Sequence, residues 1–152
     1  MKRGDKIFYR KVGNRYELTR AYCIQTTIRI PAPIEIRGWR NREWFTYARL
    51  DPDGTLTIYA GYSWDGASGP AIDTDTIMRG SLVHDALYQF IRLMLLGHEW
   101  RPVADLLLKT VCLDAGMWAI RAEWVYLAVR TFAARSVQPA GLESALVEIG
   151  AP

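Results

Sequence analysis

Hydrophobic and polar positions alternate along roughly the first sixty residues of the chain. β-Branched and aromatic residues occupy every second position at Ile7 and Tyr9, within residues 24–30, and at Ile34 and Ile36. Successive side chains of a strand point to opposite faces of a sheet, so this alternation indicates half-buried strands. It predicts a small antiparallel sheet, arranged as a meander, in the N-terminal half.

The clearest turn signal in that half is the sequence Asp-Pro-Asp-Gly at residues 51–54. Proline fixes a backbone angle that suits a turn, and glycine accepts the positive φ that many turns require. The flanking segments 44–50 and 55–60 are rich in aromatic and β-branched residues. We therefore predict a β-hairpin formed by these two segments.

The apolar spacing becomes helical from Asp75 onward. A first helix is expected to have Asp73 or Asp75 as its N-cap and to end near Gly97, and a second to open at Pro102 and end at Gly116. The apolar stripe of the first helix comprises Val83, Leu87, Phe90, Ile91 and Met94. Both helices are amphipathic, which predicts that each buries one face.

A third helix is expected to be apolar on two faces. One face comprises Ile120, Trp124, Leu127, Ala128 and Thr131, and the other comprises Ala122, Tyr126, Val129 and Phe132. Such a helix should pack on two sides, against its own domain and against a partner. The pattern as a whole predicts an α+β fold, in which residues 1–135 form one domain of a sheet against three helices and residues 136–152 form a tail, at most a short helix.

Composition supports a folded chain and excludes several classes of protein. The 152 residues are 50% hydrophobic and 23% charged, unlike the composition of disordered chains. The net charge is only +3, and although basic residues and tryptophans mix near residues 37–44, nucleic acid is not an expected partner. The apolar runs are interrupted by charges, which argues against a membrane span, and no signal peptide is recognised. Synthesis in the cytoplasm is expected.

The segment from Trp64 to Tyr88 concentrates polar side chains at the junction between the two halves. A turn-rich loop at residues 61–70 follows a predicted strand, and the next helix carries His84 and Asp85. Loops at strand ends that pack against a helix are common places for binding sites. We expect this loop to lie against the face of the helix that carries His84.

Three motifs in this order carry a resemblance to a known family. They are Asp-Gly-Ala-Ser-Gly-Pro at residues 65–70, His-Asp-Ala-Leu-Tyr at residues 84–88, and Ala-Asp at residues 104–105. From its N-terminal strands to about Ala133, the chain resembles the phage and prophage group catalogued as domain of unknown function thirteen fifty-three. It departs from that pattern at Trp64, where a small or β-branched residue is common, and at Gly69, where an apolar residue is usual.

The resemblance implies an origin in phage or prophage genomes, near structural or lysis genes, and it supplies no established activity. It leads us to expect an accessory protein of the virion or of its assembly, which binds other phage proteins and is incorporated in the virion. The two-sided third helix and the aromatic strands would provide the binding surfaces. A homo-oligomer is compatible with the same pattern.

A metal-assisted hydrolase acting on cell-envelope material is the alternative function. Its catalytic residues would be Asp65, His84 and Asp85, and a divalent ion such as zinc would be bound by Asp65, His84 and Asp105. Adjacent residues of a helix point about 100° apart, so His84 and Asp85 would not easily share one ion. Substrate contacts are assigned to Trp64, Ser68 and Tyr88.

The same residues also fit a purely structural network. Asp65 would accept hydrogen bonds from the backbone of its own loop, His84 would donate to Asp65 or to a carbonyl of that loop, and Tyr88 would complete the network from the next helical turn. Asp105 would then be an ion-pair partner of Lys109, four residues away on one helix. The sequence leaves a structural network, a catalytic or metal site, and a ligand site without chemistry open.

Overall fold

The computed structural model describes residues 6–67 and 74–132, and these form an α+β fold as predicted. Strands precede helices along the chain. The strands are β1 (Tyr9–Val12), β2 (Arg15–Leu18), β3 (Tyr22–Gln25), β4 (Ile34–Arg40), β5 (Glu43–Leu50), β6 (Thr55–Ile58) and β7 (Ser63–Trp64). The helices are α1 (Asp75–Arg92), α2 (Arg101–Asp114) and α3 (Ala119–Phe132), with a short 3-10 helix at His98–Trp100 between α1 and α2.

The strands form two antiparallel sheets rather than the single meander that was expected. One sheet has the order β1-β2-β7 and the other the order β3-β6-β5-β4. The predicted hairpin is confirmed, because β5 and β6 pair in register with Leu50 opposite Leu56. The chain leaves this sheet after β6 and pairs with the end of β2. The backbone N–H of Leu18 donates to the carbonyl of Tyr62, and the N–H of Gly61 donates to the carbonyl of Leu18. These bonds place β7 beside β2.

Helix α1 is the centre of the molecule, since most of its residues from Ile77 to Ile91 are buried. One side packs against the inward-facing side chains of the larger sheet, and another packs against α2. The sheet contributes Ile36, Ala48, Leu50, Leu56 and Ile58, each at most 2% exposed. A helix covered on several sides is a rigid place from which to position polar side chains.

Helices α1 and α2 approach closely at Gly80. A Cβ atom at this position would lie 2.6 Å from the Cys112 Sγ and 2.9 Å from the Leu108 Cδ1. Only a residue without a side chain fits there, since such distances are below van der Waals contact. The close crossing brings the polar side chains of α1 within reach of those of α2.

The ends of α1 and α2 differ slightly from the predicted ones. Helix α1 ends at Arg92, before Gly97, because Met94 adopts a φ of 58° and the backbone N–H of Leu95 bonds to the carbonyl of Phe90. Its N-cap is Thr74 rather than Asp75, while residue 73 lies outside the described residues. Helix α2 ends at Asp114, close to the predicted end. Within the described residues, none of the helices combines the length and the apolar character that a membrane crossing demands.

Helix α3 packs on one of the two faces that were predicted to be buried. Its inner face packs against α2 through Ala122, Val125 and Val129. The opposite face, which we call the outer stripe, consists of Ile120, Trp124, Leu127 and Thr131 and is exposed. No described part of the chain covers the outer stripe, and the predicted tail at residues 136–152 lies outside the described residues.

The basic and aromatic segment near residues 37–44 is the tip of the β4–β5 hairpin. Asn41 and Arg42 have φ angles of 51° and 67°, and Trp39 packs edge to face on Trp44 at a centroid distance of 5.4 Å. Trp44 remains 46% exposed. The cross-strand pairing of the two tryptophans explains their positions without a ligand.

Candidate functional site

The carboxylate of Asp105 is the centre of the polar network between the helices. Its side chain is fully buried, with 0% exposed. The hydroxyl of Tyr88 donates to the Asp105 Oδ1 at 2.5 Å, and the Nε2 of His84 lies 2.9 Å from the same oxygen. The Nη1 of Arg130 donates to the Oδ2 at 2.9 Å. Both carboxylate oxygens therefore have strong partners.

These partners come from all three α-helices. His84 and Tyr88 are four residues apart on α1, so their side chains share one face, and their rings lie 4.0 Å apart. Asp105 projects from α2 and Arg130 from α3. Arg101, one turn before Asp105, donates from Nε to the Tyr88 hydroxyl at 3.1 Å and from Nη2 to the carbonyl of Arg130 at 2.9 Å. The network thus fixes the positions of the three helices relative to one another.

The surroundings of Asp105 favour its charged form. Burial alone would raise the pKa of this carboxyl, but the hydrogen bonds from His84, Tyr88 and Arg130 outweigh it, and the net pKa is lowered. The phenol of Tyr88 has a raised pKa because of its burial and its hydrogen bond to Asp105. Asp105 is therefore an anion that Tyr88 contacts as a neutral donor.

The imidazole of His84 is buried beside two carboxylates. Burial would lower its pKa, but the hydrogen bond with Asp105 and the negative charges of Asp85 and Asp105 outweigh that effect and raise it. Asp85 has a raised pKa, chiefly through burial, and the charge of Asp65 adds to the increase. A protonated His84 is the form that the anionic Asp105 stabilises.

The second ring nitrogen of His84 faces away from Asp105. Its Nδ1 lies 3.8 Å from the Asp85 Oδ1, too far for a direct hydrogen bond. His84 and Asp85 also line a cavity of about 20 Å³, and the described residues around it include Gly66, Ala67 and Ser81. This volume is enough for about one water molecule.

The described start of the loop after β7 lies against α1, because Ala67 packs on the apolar cluster that contains Ile77. A contact of Trp64, the last residue of β7, attaches this part of the chain to α1. The indole Nε1 of Trp64 donates to the Ser81 Oγ at 3.1 Å, and that hydroxyl donates to the carbonyl of Met78 at 3.0 Å. Trp64 is only 1% exposed and packs against Tyr9 and Tyr16. Trp64, assigned above to substrate contact, therefore lies in the core and attaches the end of β7 to α1.

Asp65 does not contact His84. Its side chain is 75% exposed and forms an ion pair with the Nε of Arg15 at 3.1 Å. The expected bond from His84 to Asp65 is replaced by the bond to Asp105. Ser68, the other loop residue assigned to substrate, lies outside the described residues.

The predicted pairing of Asp105 with Lys109 is wrong. Lys109 points to α3, where its Nζ contacts the carboxylate of Glu123. Asp105 instead projects into the space between the helices, where its partners are His84 on α1 and Arg130 on α3. The spacing of four residues allowed the Lys109 pair but did not require it.

The residues predicted to bind a metal are not brought together as a set. His84 contacts Asp105 directly, and Asp65 is exposed beside Arg15. In the described part of the chain, no group of three or more His, Cys, Asp or Glu side chains is arranged to hold a metal ion. The metal site remains a prediction of the sequence.

Two arginines of the network were missed by the sequence analysis. Arg101 is four residues before Asp105 on α2, and this spacing was a usable signal. Arg130 is 25 residues from Asp105 along the chain, and nothing in the spacing of the motifs points to it. Its role follows only from the packing of α3 against α2.

Comparison of the chain with protein-family models, curated proteins and solved structures found no match. The role of the site is therefore inferred from its geometry and charges. These allow two uses of His84: as a cation that holds Asp105, or as a base that acts on a water molecule in the cavity.

Replacing His84 should change how stability depends on pH. Its pKa lies near 6.5 in the unfolded chain and higher in the folded protein, so its proton stabilises the fold. This stabilisation is fully present below pH 6.5 and is lost as the pH rises through the folded-state pKa. We expect His84→Gln to lower the free energy of unfolding by about 1–3 kcal/mol in the acidic range and by less at alkaline pH.

The measurement is urea denaturation of both proteins at a series of pH values. His98→Gln is the matched control, because His98 is exposed on the 3-10 helix and should leave the profile unchanged. A cost of His84→Gln that is the same at every pH would show that the proton of His84 does not contribute to the fold.

Proposed function

We propose that the protein is an accessory protein of a phage or prophage, and that it acts as an interaction module in the virion or during its assembly. It is made in the cytoplasm and incorporated through contacts with other phage proteins. The phage origin rests on the resemblance described above. The interaction role rests on one observation, the exposed outer stripe of α3.

The outer stripe is unusual for a surface. Ile120 is 87% exposed, Leu127 54% and Trp124 48%, and the neighbouring Trp118 is 83% exposed. Scattered apolar residues are normal on protein surfaces, but a continuous set of large ones typically marks a site of interaction. Tryptophan in particular is enriched among the residues that contribute most to binding.

The Asp105 network supports this role because it holds α3 in place. Arg130 on α3 binds Asp105, and Arg101 on α2 binds the carbonyl of Arg130. A surface fixed before binding loses less conformational entropy when a partner binds. The network therefore keeps the outer stripe ready for a partner.

The geometry of His84 favours this structural role over catalysis. One ring nitrogen of His84 is occupied by Asp105, and the cavity that His84 and Asp85 line has a volume of about 20 Å³, enough for about one water molecule. Asp105 is fully buried and would not contact a substrate.

A hydrolase is the second candidate, favoured by the position of the His84 Nδ1. In this reading Asp105 orients the ring through Nε2, and the Nδ1 takes a proton from a water molecule that also contacts Asp85. Asp65 is close enough for its charge to raise the pKa of Asp85. The metal-assisted form would in addition need zinc or a similar ion at Asp65 and His84, where the described residues show no ligand group.

An assay on purified cell-wall material separates the two candidates. We expect the wild-type chain to release no soluble fragments, with or without added zinc, because the cavity beside His84 admits only about one water molecule. Fragment release that is lost in both His84→Gln and Asp85→Asn, but kept in His98→Gln, would support the hydrolase instead.

The interaction role is tested with phage particles. A tagged chain is expressed in the lysogen that encodes it, and particles are purified after induction. We expect the wild-type chain to co-sediment with particles or assembly intermediates, and Trp124→Glu to be lost from them, because the outer stripe is the contact surface. Trp44→Glu is the matched control, since Trp44 is exposed to nearly the same extent on β5. Absence of the wild-type chain from all particle fractions would contradict the proposal.

A further inference from the structure

The residues of the outer stripe follow one another with a regular helical spacing. Trp124, Leu127 and Thr131 lie four, seven and eleven positions after Ile120. This spacing is that of the contact seam of a two-helix coiled coil. The buried residues of α3 lie on the opposite side of the helix, so the whole seam faces outward.

We propose that the outer stripe binds the outer stripe of a second copy of this chain, with the two α3 helices antiparallel about a two-fold axis. The inference rests on the proposed function and deepens it: the partner that the outer stripe binds is a second copy of this chain, and the dimer is the unit that enters the particle. A two-fold contact uses the same surface on both copies, so the outer stripe must be complementary to itself.

The side chains of the outer stripe meet this requirement in an antiparallel pair. When Trp124 lies opposite Leu127 of the second copy, Ile120 lies opposite Thr131 of the second copy, and the two-fold axis repeats both contacts. Each layer then combines a larger side chain with a smaller one. The hydroxyl of Thr131 already bonds to the carbonyl of Leu127 at 2.8 Å, so its burial leaves no unsatisfied donor.

The charges beside the outer stripe favour the antiparallel arrangement. Glu123 and Arg130 lie on one flank, where side chains of an antiparallel pair meet their equivalents on the other helix. In the register above, Glu123 lies beside Arg130 of the second copy, and this ion pair occurs twice. In a parallel pair, Glu123 would instead face Ala128 of the second copy and form no ion pair.

Both side chains are accessible for this contact. The side chain of Glu123 is 48% exposed although it contacts Lys109, and that of Arg130 is 35% exposed although it binds Asp105. Arg121, on the other flank, lies beside Ala128 of the second copy, so no like charges of the two α3 helices meet. The register therefore brings together only oppositely charged side chains of α3.

The exposed apolar area of the outer stripe is that of a small contact. A tryptophan side chain buries about 150–250 Å² when fully covered. Two copies each contribute the exposed parts of Ile120, Trp124 and Leu127. The total is on the order of 700 Å², the size of a small, transient interface, so a dimer of low affinity is expected.

Sedimentation equilibrium of the purified full chain over a range of concentrations tests the dimer. We expect the wild type to dimerise and Trp124→Glu to weaken the dimer by at least about 30-fold, as for a central interface tryptophan. Trp44→Glu makes the same change at a tryptophan on the β4–β5 hairpin and should leave the dimer unchanged. Thermal unfolding of each variant at low concentration confirms that it is folded.

Thiol cross-linking tests the register. In a Cys23→Ser background, which removes the exposed native thiol, one chain carries Ile120→Cys and another Thr131→Cys. An antiparallel pair predicts cross-links only when the two chains are mixed. Cross-linking of each chain with itself would show a parallel pair and overturn the proposal.

The two experiments also separate this inference from the proposed function. A wild-type chain that is monomeric at every concentration overturns the dimer. This holds whether the outer stripe is then covered by residues 133–152 or by another protein. If that monomer still co-sediments with phage particles through Trp124, the proposed function is supported and the dimer is not. A dimer that never enters particle fractions would support the inference and contradict the proposed function.

Discussion

A single buried carboxylate constrains the helical half of this protein. An ionised carboxylate removed from water costs several kcal/mol unless partners compensate it. Asp105 has 0% exposure, and its compensation comes from His84 and Tyr88 on α1 and Arg130 on α3. No one helix supplies enough partners, so the charge is stable only where the three helices meet. This requirement ties the three helices together at Asp105.

The rest of the structure is arranged around this constraint. Helix α1 carries two of the partners and is held between the larger sheet and α2 by apolar packing, with Gly80 allowing the close crossing. The Trp64 indole attaches the end of β7 to the same helix through Ser81. Helix α3 is held at its inner side by α2 and by Arg130, which leaves the outer stripe exposed. The fold thus holds an apolar surface ready for binding.

The sequence predicted those features that depend on local spacing. The alternation of apolar residues gave the strands and the β5–β6 hairpin, and the helical spacing gave the three helices and the two faces of α3. Asp65 and His84 were expected to meet because their motifs are neighbours in the chain, whereas His84 pairs with Asp105, 21 residues away. Arg130 could not be predicted, since its contact depends on how α3 packs. The two-sheet order depends likewise on the long-range pairing of β2 with β7.

The most direct test of the account compares the loss of a carboxylate charge at two places. Asp105→Asn keeps the shape of the side chain and removes the charge, and the free energy of unfolding should fall by about 3–5 kcal/mol, as when a buried ion pair loses a partner. Asp65→Asn makes the same change at the exposed pair with Arg15 and should cost at most about 1 kcal/mol. Urea denaturation at neutral pH measures both. Equal, small losses would show that Asp105 does not hold the helices together.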